Sequence, residues 1–289
     1  MKDHLTGDLF EAIHMAAQLA PTASAAGASR AGRLTMAIPA KGRLRQPTVA
    51  LLSDAGMSPE HPDERALAFP CQAAPVDVLL VRAPDIAGYV SDGVVDCGVT
   101  GADLVRESDT QVVELLRLGY GRCTLEVAVP EEAAETAIEE LHAKRVATVH
   151  PRLTRELLSE RGVDAEIVVL SGSTELAPRL GLADGIVDLV SSGDTLRRHA
   201  LRSLGPLFFS EAVLIGPASG GDRVSELILL LGAVVEARAA RVLMLMVPER
   251  TLAEARELLA GARSLVTAPT ERPGFVALQA VVAAAELWT

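Results

Sequence analysis

Apolar stretches of strand length alternate with amphipathic helical patterns from residue 33 onward. Such alternation is typical of βαβ units and predicts an α/β fold with largely parallel strands. The predicted strands cover residues 33–38, 76–81, 94–99, 112–116, 124–129, 145–149, 166–170, 186–190 and 208–215. The predicted helices between them cover residues 44–55, 84–90, 131–142 and 154–161. These strands are too many for one simple sheet, so we expect more than one lobe.

Glycine and proline positions divide the chain into regions. Gly119, Gly121 and Pro130 interrupt the middle of the chain, which predicts a first lobe over 32–121 and a second over 122–203. The apolar run 208–215 predicts a segment, 204–216, that returns to the first lobe. Residues 217–289 contain a long helical pattern at 224–239 and a strand, helix and strand at 241–247, 252–259 and 274–282, which indicates a third, smaller domain.

Length and charge exclude several classes of protein. The 289 residues suffice for about two domains, and no apolar run reaches the ~18 residues that a membrane span needs. Lys and Arg number 27 against 38 Asp and Glu, a net charge of −11, which argues against a nucleic-acid-binding protein. Residues 1–31 lack the pattern of an export signal and are interpreted as an N-terminal extension. Three cysteines without metal spacing, Cys71, Cys97 and Cys123, favour free thiols and a cytoplasmic location.

A turn between a predicted buried strand and a helix is the most informative local feature. The strand ends at Val190 and is followed by hydroxyl and glycine residues before a helix starts: Ser191, Ser192, Gly193, Asp194, Thr195 and Leu196. Backbone amides and hydroxyls at such a turn can surround a phosphate, and the helix dipole favours the anion. An ordinary strand-to-helix turn with capping hydroxyls is the alternative.

Two acidic residues accompany this turn. Asp188 lies inside the apolar strand, and Glu175 follows the small-residue turn that ends at Ser173. A buried carboxylate needs a hydrogen-bonding partner, and paired acids beside a phosphate site suit a ribose ring with Mg²⁺ nearby. For Glu175, a favourable position in the first turn of a helix is the alternative.

Cationic residues follow other predicted strands. Lys41 and Arg43 flank a glycine after the first strand, at the end where open α/β sheets bind ligands, and together they suit phosphates. Arg82 and Arg122 extend this cationic set, although each alone is also compatible with a solvated surface charge. A further turn containing Gly101 and Asp103 permits close approach of a ligand, while Walker A and dinucleotide-binding motifs are absent from the sequence.

These motifs together resemble the ATP phosphoribosyltransferase family over residues 33 to about 283. The most specific match is the segment ELAPRLGLADGIVDLVSSGDTL at 175–196. Further matches in the family's order are PAKGRL at 39–44, VRAPDI at 81–86, DGVVD at 92–96, GVTGADL at 98–104 and LGYGRC at 118–123.

The resemblance implies two periplasmic-binding-protein-like lobes with the site in their cleft, and a C-terminal ferredoxin-like domain of the ACT-like regulatory type. It also implies Mg²⁺, feedback inhibition by histidine, and dimers that assemble into hexamers. The reaction it implies joins N1 of ATP to the anomeric carbon of phosphoribosyl pyrophosphate and releases pyrophosphate, the first step of histidine biosynthesis. In-line positioning and electrostatic stabilisation would carry this reaction, since it needs no covalent nucleophile.

The resemblance also suggests roles for individual residues. Residues 188–196 would hold the 5′-phosphate and ribose, with Ser173 and Glu175 beside them. Pyrophosphate or the ATP phosphates would face Lys41, Arg43 and Arg82. The nucleotide would lie near Gly101, Asp103, Gly121 and Arg122.

The C-terminal region departs from the family's pattern. Residues 264–269 read SLVTAP where the family has Ser-Pro-Thr, and the sequence stops at Thr289 before the last helix and strand of a ferredoxin-like unit. We therefore expect an incomplete regulatory domain with weakened control by histidine. A two-lobed binding protein for an anionic solute and a catalytically silent regulatory paralogue are the alternative functions.

Overall fold

The computed structural model describes residues 33–58, 67–71, 74–218 and 222–286, so the expected N-terminal extension lies outside the described residues. The strands are β1 Leu34–Pro39, β2 Ala68–Pro70, β3 Val76–Val81, β4 Cys97–Gly101, β5 Val112–Arg117, β6 Cys123–Pro130, β7 Arg145–Thr148, β8 Glu166–Val169, β9 Gly185–Val190, β10 Leu201–Ser210, β11 Ala212–Pro217, β12 Ala240–Pro248, β13 Ser264–Pro269 and β14 Phe275–Ala283. The helices are α1 Arg45–Asp54, α2 Ile86–Ser91, α3 Ala102–Ser108, α4 Pro151–Glu160, α5 Asp194–Arg198, α6 Asp222–Ala239 and α7 Leu252–Leu258. No described helix is long and apolar enough to span a membrane.

The first lobe is built on a six-stranded sheet in the order β2-β3-β1-β4-β11-β5. β1 pairs in parallel with both β3 and β4, so the carboxyl ends of these three strands lie at one edge. Its core forms where apolar residues of the strands meet helix α2, as in the cluster of Ala37, Ile86, Val90 and Val213. This packing fixes the loops that follow β1, β3 and β4.

The second lobe is built on a five-stranded sheet in the order β10-β6-β9-β7-β8. β7 pairs in parallel with β8 and β9, whereas β6 is antiparallel to its neighbours β9 and β10. Helix α4 has a strongly one-sided apolar pattern and buries Leu153, Leu157 and Leu158 in the core of this lobe. The two-lobed α/β fold implied by the resemblance is confirmed, but each sheet mixes parallel and antiparallel strands instead of being largely parallel.

Two predicted elements were wrong. The single strand predicted at 208–215 is divided at Glu211: β10 pairs with β6 in the second lobe, and β11 pairs with β4 and β5 in the first. The predicted helix 131–142 is reduced to a short 3₁₀ turn at Ile138–Leu141. The Arg202 guanidinium donates hydrogen bonds to the carbonyls of Ala133 and Glu135, which are therefore held outside a helical pattern.

The C-terminal residues form a separate compact unit that begins at Leu229, inside α6. Its three-stranded sheet has the order β12-β14-β13, with β14 antiparallel to both neighbours. The predicted strands and helix of this unit are present, and β13 is an additional strand that the apolar pattern did not predict. Side chains on β12 are largely solvent-exposed, including Met244 at 79%.

Candidate functional site

Three of the predicted first-lobe segments lie at the same edge of the sheet. Lys41 and Arg43 follow β1, Arg82 follows β3, and Asp103 lies in the first turn of α3, directly after β4. Since β3, β1 and β4 are adjacent and parallel, their carboxyl ends are neighbours. The amide of Ala40 donates to the Val81 carbonyl at 2.7 Å, which ties the loop after β1 to the end of β3.

The Arg43 guanidinium links this edge to the connection between the lobes. Its Nη1 donates to the Gly121 carbonyl at 3.1 Å, and its Nη2 lies 3.9 Å from Asp103 Oδ1. The Arg43 side chain is 40% exposed, so it also remains open to a ligand. Arg43, Asp103 and Gly121, three predicted site residues from three different segments, are thus brought together.

Asp103 is the most deeply buried carboxylate of the candidate site, with 1% of its surface exposed. Ser210 Oγ donates to its carboxylate and accepts a hydrogen bond from its backbone amide. His150 Nε2, from the second lobe, lies 3.3 Å from Asp103 Oδ2. Neither Ser210 nor His150 was predicted. The signals were available: Ser210 precedes the only charged residue in an apolar run, and His150 follows a strand whose carboxyl end faces this edge.

The backbone conformation at Gly121 and the close packing around it both favour glycine. Its φ is +65°, and a Cβ placed there would lie 2.3 Å from Leu44 Cδ2. Leu44 is buried and adjoins Arg43 in the sequence. The packing of Leu44 beside Gly121 therefore also holds the backbone of Arg43 in place. A side chain at this position would therefore have to displace Leu44 Cδ2 as well as adopt a left-handed backbone.

Cys123 lies next to this turn and is buried. Burial raises the pKa of its thiol, an effect that the nearby Arg43 guanidinium opposes and does not overcome. The thiol is therefore protonated at neutral pH and is not a nucleophile of the site.

In the second lobe, the predicted phosphate turn follows β9 as expected. Gly193, which precedes α5, adopts φ +73°, a left-handed conformation that glycine takes without a side-chain penalty. Hydrogen bonds from Ser192 and Arg197 hold the Asp194 carboxylate and lower its pKa. A cavity of about 460 Å³ opens beside the turn and is lined by Ser191, Ser192, Gly193 and Leu196. Asp194 and Thr195 are exposed.

The predicted acids flank a buried threonine. Asp188 is half-buried in β9 and accepts hydrogen bonds from the Thr174 hydroxyl and from the Leu189 amide, the latter at 2.7 Å. Glu175 follows Thr174 directly in a short 3₁₀ turn, not in the helix expected there, and Ser173 precedes it with φ +51°. This arrangement orients the Asp188 carboxylate at the carboxyl-terminal half of the strand that carries the turn.

The remaining predicted cations are more loosely placed. Arg82 is 74% exposed and pairs with Asp85 at 4.0 Å. Arg122 is 77% exposed, pairs with Glu211 at 3.4 Å, and lines a cavity of about 520 Å³ that also includes Ser191. Lys41 is exposed. Among the hydrogen bonds and ion pairs of the described residues, neither Lys41 nor Arg82 contacts the phosphate turn.

The donor set fits a magnesium ion only if a substrate supplies most of its ligands. Within the described ranges, no cluster of three or more His, Cys, Asp or Glu side chains could hold a metal ion. Mg²⁺ is commonly bound by one or two carboxylates together with substrate phosphates. Asp188 accepts a hydrogen bond from Thr174, the residue that precedes Glu175, so these two acids are the candidates to supply that small number.

Comparison with known proteins gives a consistent result. The sequence profile of the ATP phosphoribosyltransferase family matches residues 82–232. The chain is 41% identical over 239 residues to an ATP phosphoribosyltransferase of Methanopyrus kandleri, which covers 82% of this chain and 83% of that protein. It is 40% identical over 264 residues to an ATP phosphoribosyltransferase of Gemmatimonas aurantiaca, covering 87% and 90% respectively. A solved structure titled as an ATP phosphoribosyl transferase complex from Thermotoga maritima superposes with a TM-score of 0.60 at 28% identity, covering 71% of this chain and 99% of that chain.

Proposed function

Because this chain belongs to the ATP phosphoribosyltransferase family, we propose that its two lobes divide the substrates of that reaction between their facing strand ends. The enzyme is a pentosyltransferase of the first step of histidine biosynthesis and joins ATP to phosphoribosyl pyrophosphate. N1 of the adenine forms a bond to the anomeric carbon. The bond from that carbon to pyrophosphate breaks, and pyrophosphate leaves with the electron pair.

The phosphoribosyl group is assigned to the turn after β9. Amides and hydroxyls of Ser191, Ser192, Gly193, Asp194, Thr195 and Leu196 would bind the 5′-phosphate, and Asp188 would accept hydrogen bonds from the ribose hydroxyls. The hydrogen bonds that hold the Asp188 carboxylate in the strand below the turn are the observation that carries this assignment. Ser173 and Glu175 adjoin Thr174, whose hydroxyl bonds this carboxylate, and would complete the ribose site.

The cationic first-lobe edge is assigned to the other phosphates. In the transition state, positive charge grows on the ribose and negative charge grows on the departing pyrophosphate. Fixed cations beside the pyrophosphate stabilise this negative charge and so lower the barrier. Lys41, Arg43 and Arg82 would face these phosphates, while Gly101, Asp103, Gly121 and Arg122 would lie near the nucleotide. Glu175 and Asp188 would hold Mg²⁺ together with phosphate oxygens of the substrate, and the bound ion would supply positive charge that offsets the charge of the leaving pyrophosphate.

Two carboxylates of the β9 region provide a matched test of the ribose site. Asp188→Asn should lower kcat/KM for phosphoribosyl pyrophosphate by about tenfold or more, the size expected for losing a hydrogen bond to a charged group. Asp184 precedes the same strand at its other end, and Asp184→Asn should change this ratio by less than about twofold. Formation of phosphoribosyl-ATP from ATP, phosphoribosyl pyrophosphate and MgCl₂ is the measurement. Equal losses in the two variants would contradict the assignment.

Assembly and regulation form the last part of the proposal. The exposed apolar side chains of β12 support association of identical chains into dimers or hexamers. Family membership supports inhibition by histidine and a cytoplasmic location, and the three free, buried cysteines agree with a reducing compartment. Sedimentation velocity and a histidine titration of the reaction rate test the first two points. A monomer at micromolar concentration, or a rate that histidine does not change, would contradict them.

A further inference from the structure

His150 is a buried side chain without a satisfied hydrogen bond. Only 4% of its surface is exposed, and in the described structure neither Nδ1 nor Nε2 has a hydrogen-bond partner. A buried polar atom left unpaired destabilises the folded state, so such atoms in native proteins call for a physical reason. Nothing in the reaction described above uses this residue.

The surroundings of His150 point to Asp103. Nε2 lies 3.3 Å from Asp103 Oδ2, within reach of a hydrogen bond although the angles do not form one. Contacts of catalytic groups are often long or poorly aligned without substrate and shorten when the substrate is bound. A small rotation of the imidazole would give Asp103 a second side-chain donor besides Ser210.

The histidine belongs to the second lobe and the aspartate to the first. His150 immediately precedes α4, and Asp103 is the second residue of α3. These two helices are joined across the lobes, because the Glu107 carboxylate accepts hydrogen bonds from the Arg152 and Leu153 amides at 3.0 and 2.8 Å. These contacts between the lobes therefore hold the imidazole next to Asp103.

The orientation of Asp103 matters for the cation beside it. Asp103 Oδ1 faces Arg43 Nη2 at 3.9 Å, so the oxygen that His150 approaches is the other one of the same carboxylate. Holding Oδ2 fixes the plane of the carboxylate and thus the electrostatic partner of Arg43. His150 therefore lies next to Asp103, which we assign to the nucleotide, and Asp103 in turn faces Arg43, which we assign to the phosphates.

We propose that His150 is a positioning residue of the transferase reaction: when the lobes bind substrate, its imidazole donates a hydrogen bond to the Asp103 carboxylate and orients it, with Arg43, toward ATP. The inference rests on the proposed nucleotide site of the first lobe. It assigns the imidazole no proton transfer and no contact with the reacting atoms.

Three variants test this role. His150→Phe keeps a ring and removes both nitrogens, whereas His150→Gln places an amide donor near the position of Nε2. His142→Phe is the matched control, since His142 is an exposed histidine of the same lobe. Steady-state rates of phosphoribosyl-ATP formation are measured with each substrate varied, alongside urea unfolding midpoints.

His150→Phe should lower kcat/KM for ATP by about tenfold or more and change KM for phosphoribosyl pyrophosphate by less than about threefold. His150→Gln should recover most of the loss, and His142→Phe should match the wild type. A merely space-filling histidine would give the opposite result: Phe as active as the wild type, or Gln no better than Phe. Equal effects on both substrates would also overturn the proposal.

A direct observation covers the case in which His150→Phe does not fold. With ¹⁵N-labelled histidine, the Nε2 proton of His150 is identified by its absence in His150→Gln. When both substrates are present at equilibrium, this signal should appear, or should move downfield where it is already visible without substrate. An unchanged signal contradicts the proposal. Wild-type protein that forms no phosphoribosyl-ATP would instead refute the proposed function. The steady-state assay therefore distinguishes failure of that function from failure of the role proposed for His150.

Discussion

Replacing Gly121 by alanine introduces a methyl group where the structure has no room for it. The new Cβ would lie 2.3 Å from Leu44 Cδ2, and Gly121 has φ +65°. The left-handed conformation costs a residue with a side chain about 1 kcal/mol, and overpacking of a buried site costs about 1–3 kcal/mol more. The variant should therefore lose about 2–4 kcal/mol of unfolding free energy.

Gly119 provides the control for the conformational part of this loss. It lies in the same turn with φ +73°, and a Cβ there would meet nothing within 4 Å. Gly119→Ala should therefore cost only about 1 kcal/mol. Urea unfolding followed by circular dichroism measures both variants against the wild type.

A double-mutant cycle isolates the steric part. In a Leu44→Ala background the clash is removed, so adding Gly121→Ala should cost about 1 kcal/mol, as at Gly119. The Gly121→Ala enzyme should also lose activity, because displacing Leu44 moves the adjoining Arg43 away from the Gly121 carbonyl. Equal destabilisation at the two glycines, or no coupling with Leu44, would refute the reasoning.

Three further predictions concern other parts of the account. Arg43→Ala should lower turnover by at least about tenfold while the unfolding midpoint stays near that of the wild type; near-normal steady-state turnover would remove Arg43 from the site. Glu107→Ala removes an acceptor for two amides of α4 and should cost about 1 kcal/mol in urea unfolding, whereas Glu107→Gln should cost less; equal losses would exclude a capping role. Hydrogen bonds and the charge of Arg145 lower the pKa of Asp184, so its stabilisation is present above the ordinary carboxyl pKa and is lost as pH falls through the lowered value. Asp184→Asn should therefore lose up to about 1 kcal/mol of unfolding free energy at pH 7, because the group is partly exposed. The urea midpoints of the variant and the wild type should converge as the pH falls below the ordinary carboxyl range; a pH-independent difference would contradict this.

The positions of most strands along the chain and of the carboxyl-end loops could be predicted because they depend on local pattern. Apolar stretches separated by helices specified most strands of both lobes, and the glycine-rich and hydroxyl-rich turns after β1, β4 and β9 follow directly from them. The division between β10 and β11 could not be assigned in the same way, since a continuous apolar run does not reveal where the chain passes from one sheet to another. Glu211, the one charged residue in that run, marks the point.

Polar contacts between residues far apart in the sequence are the second kind of feature that could not be predicted. The helix predicted at 131–142 has a suitable periodicity, but hydrogen bonds from Arg202, about seventy residues later, determine its backbone. His150 and Ser210 reach Asp103 from segments 47 and 107 residues away, so no local motif contains all three. Searching the carboxyl ends of all predicted strands for polar residues would have found His150, because it follows β7 as Lys41 follows β1.

The central claim is that the turn after β9 holds the phosphoribosyl group while the first-lobe cations bind the other phosphates. A crystal structure with phosphoribosyl pyrophosphate and Mg²⁺ bound tests it directly. We expect the 5′-phosphate within hydrogen-bond distance of the amides between Ser192 and Leu196, and a ribose hydroxyl on Asp188. A 5′-phosphate bound elsewhere, with that turn empty, would contradict the account.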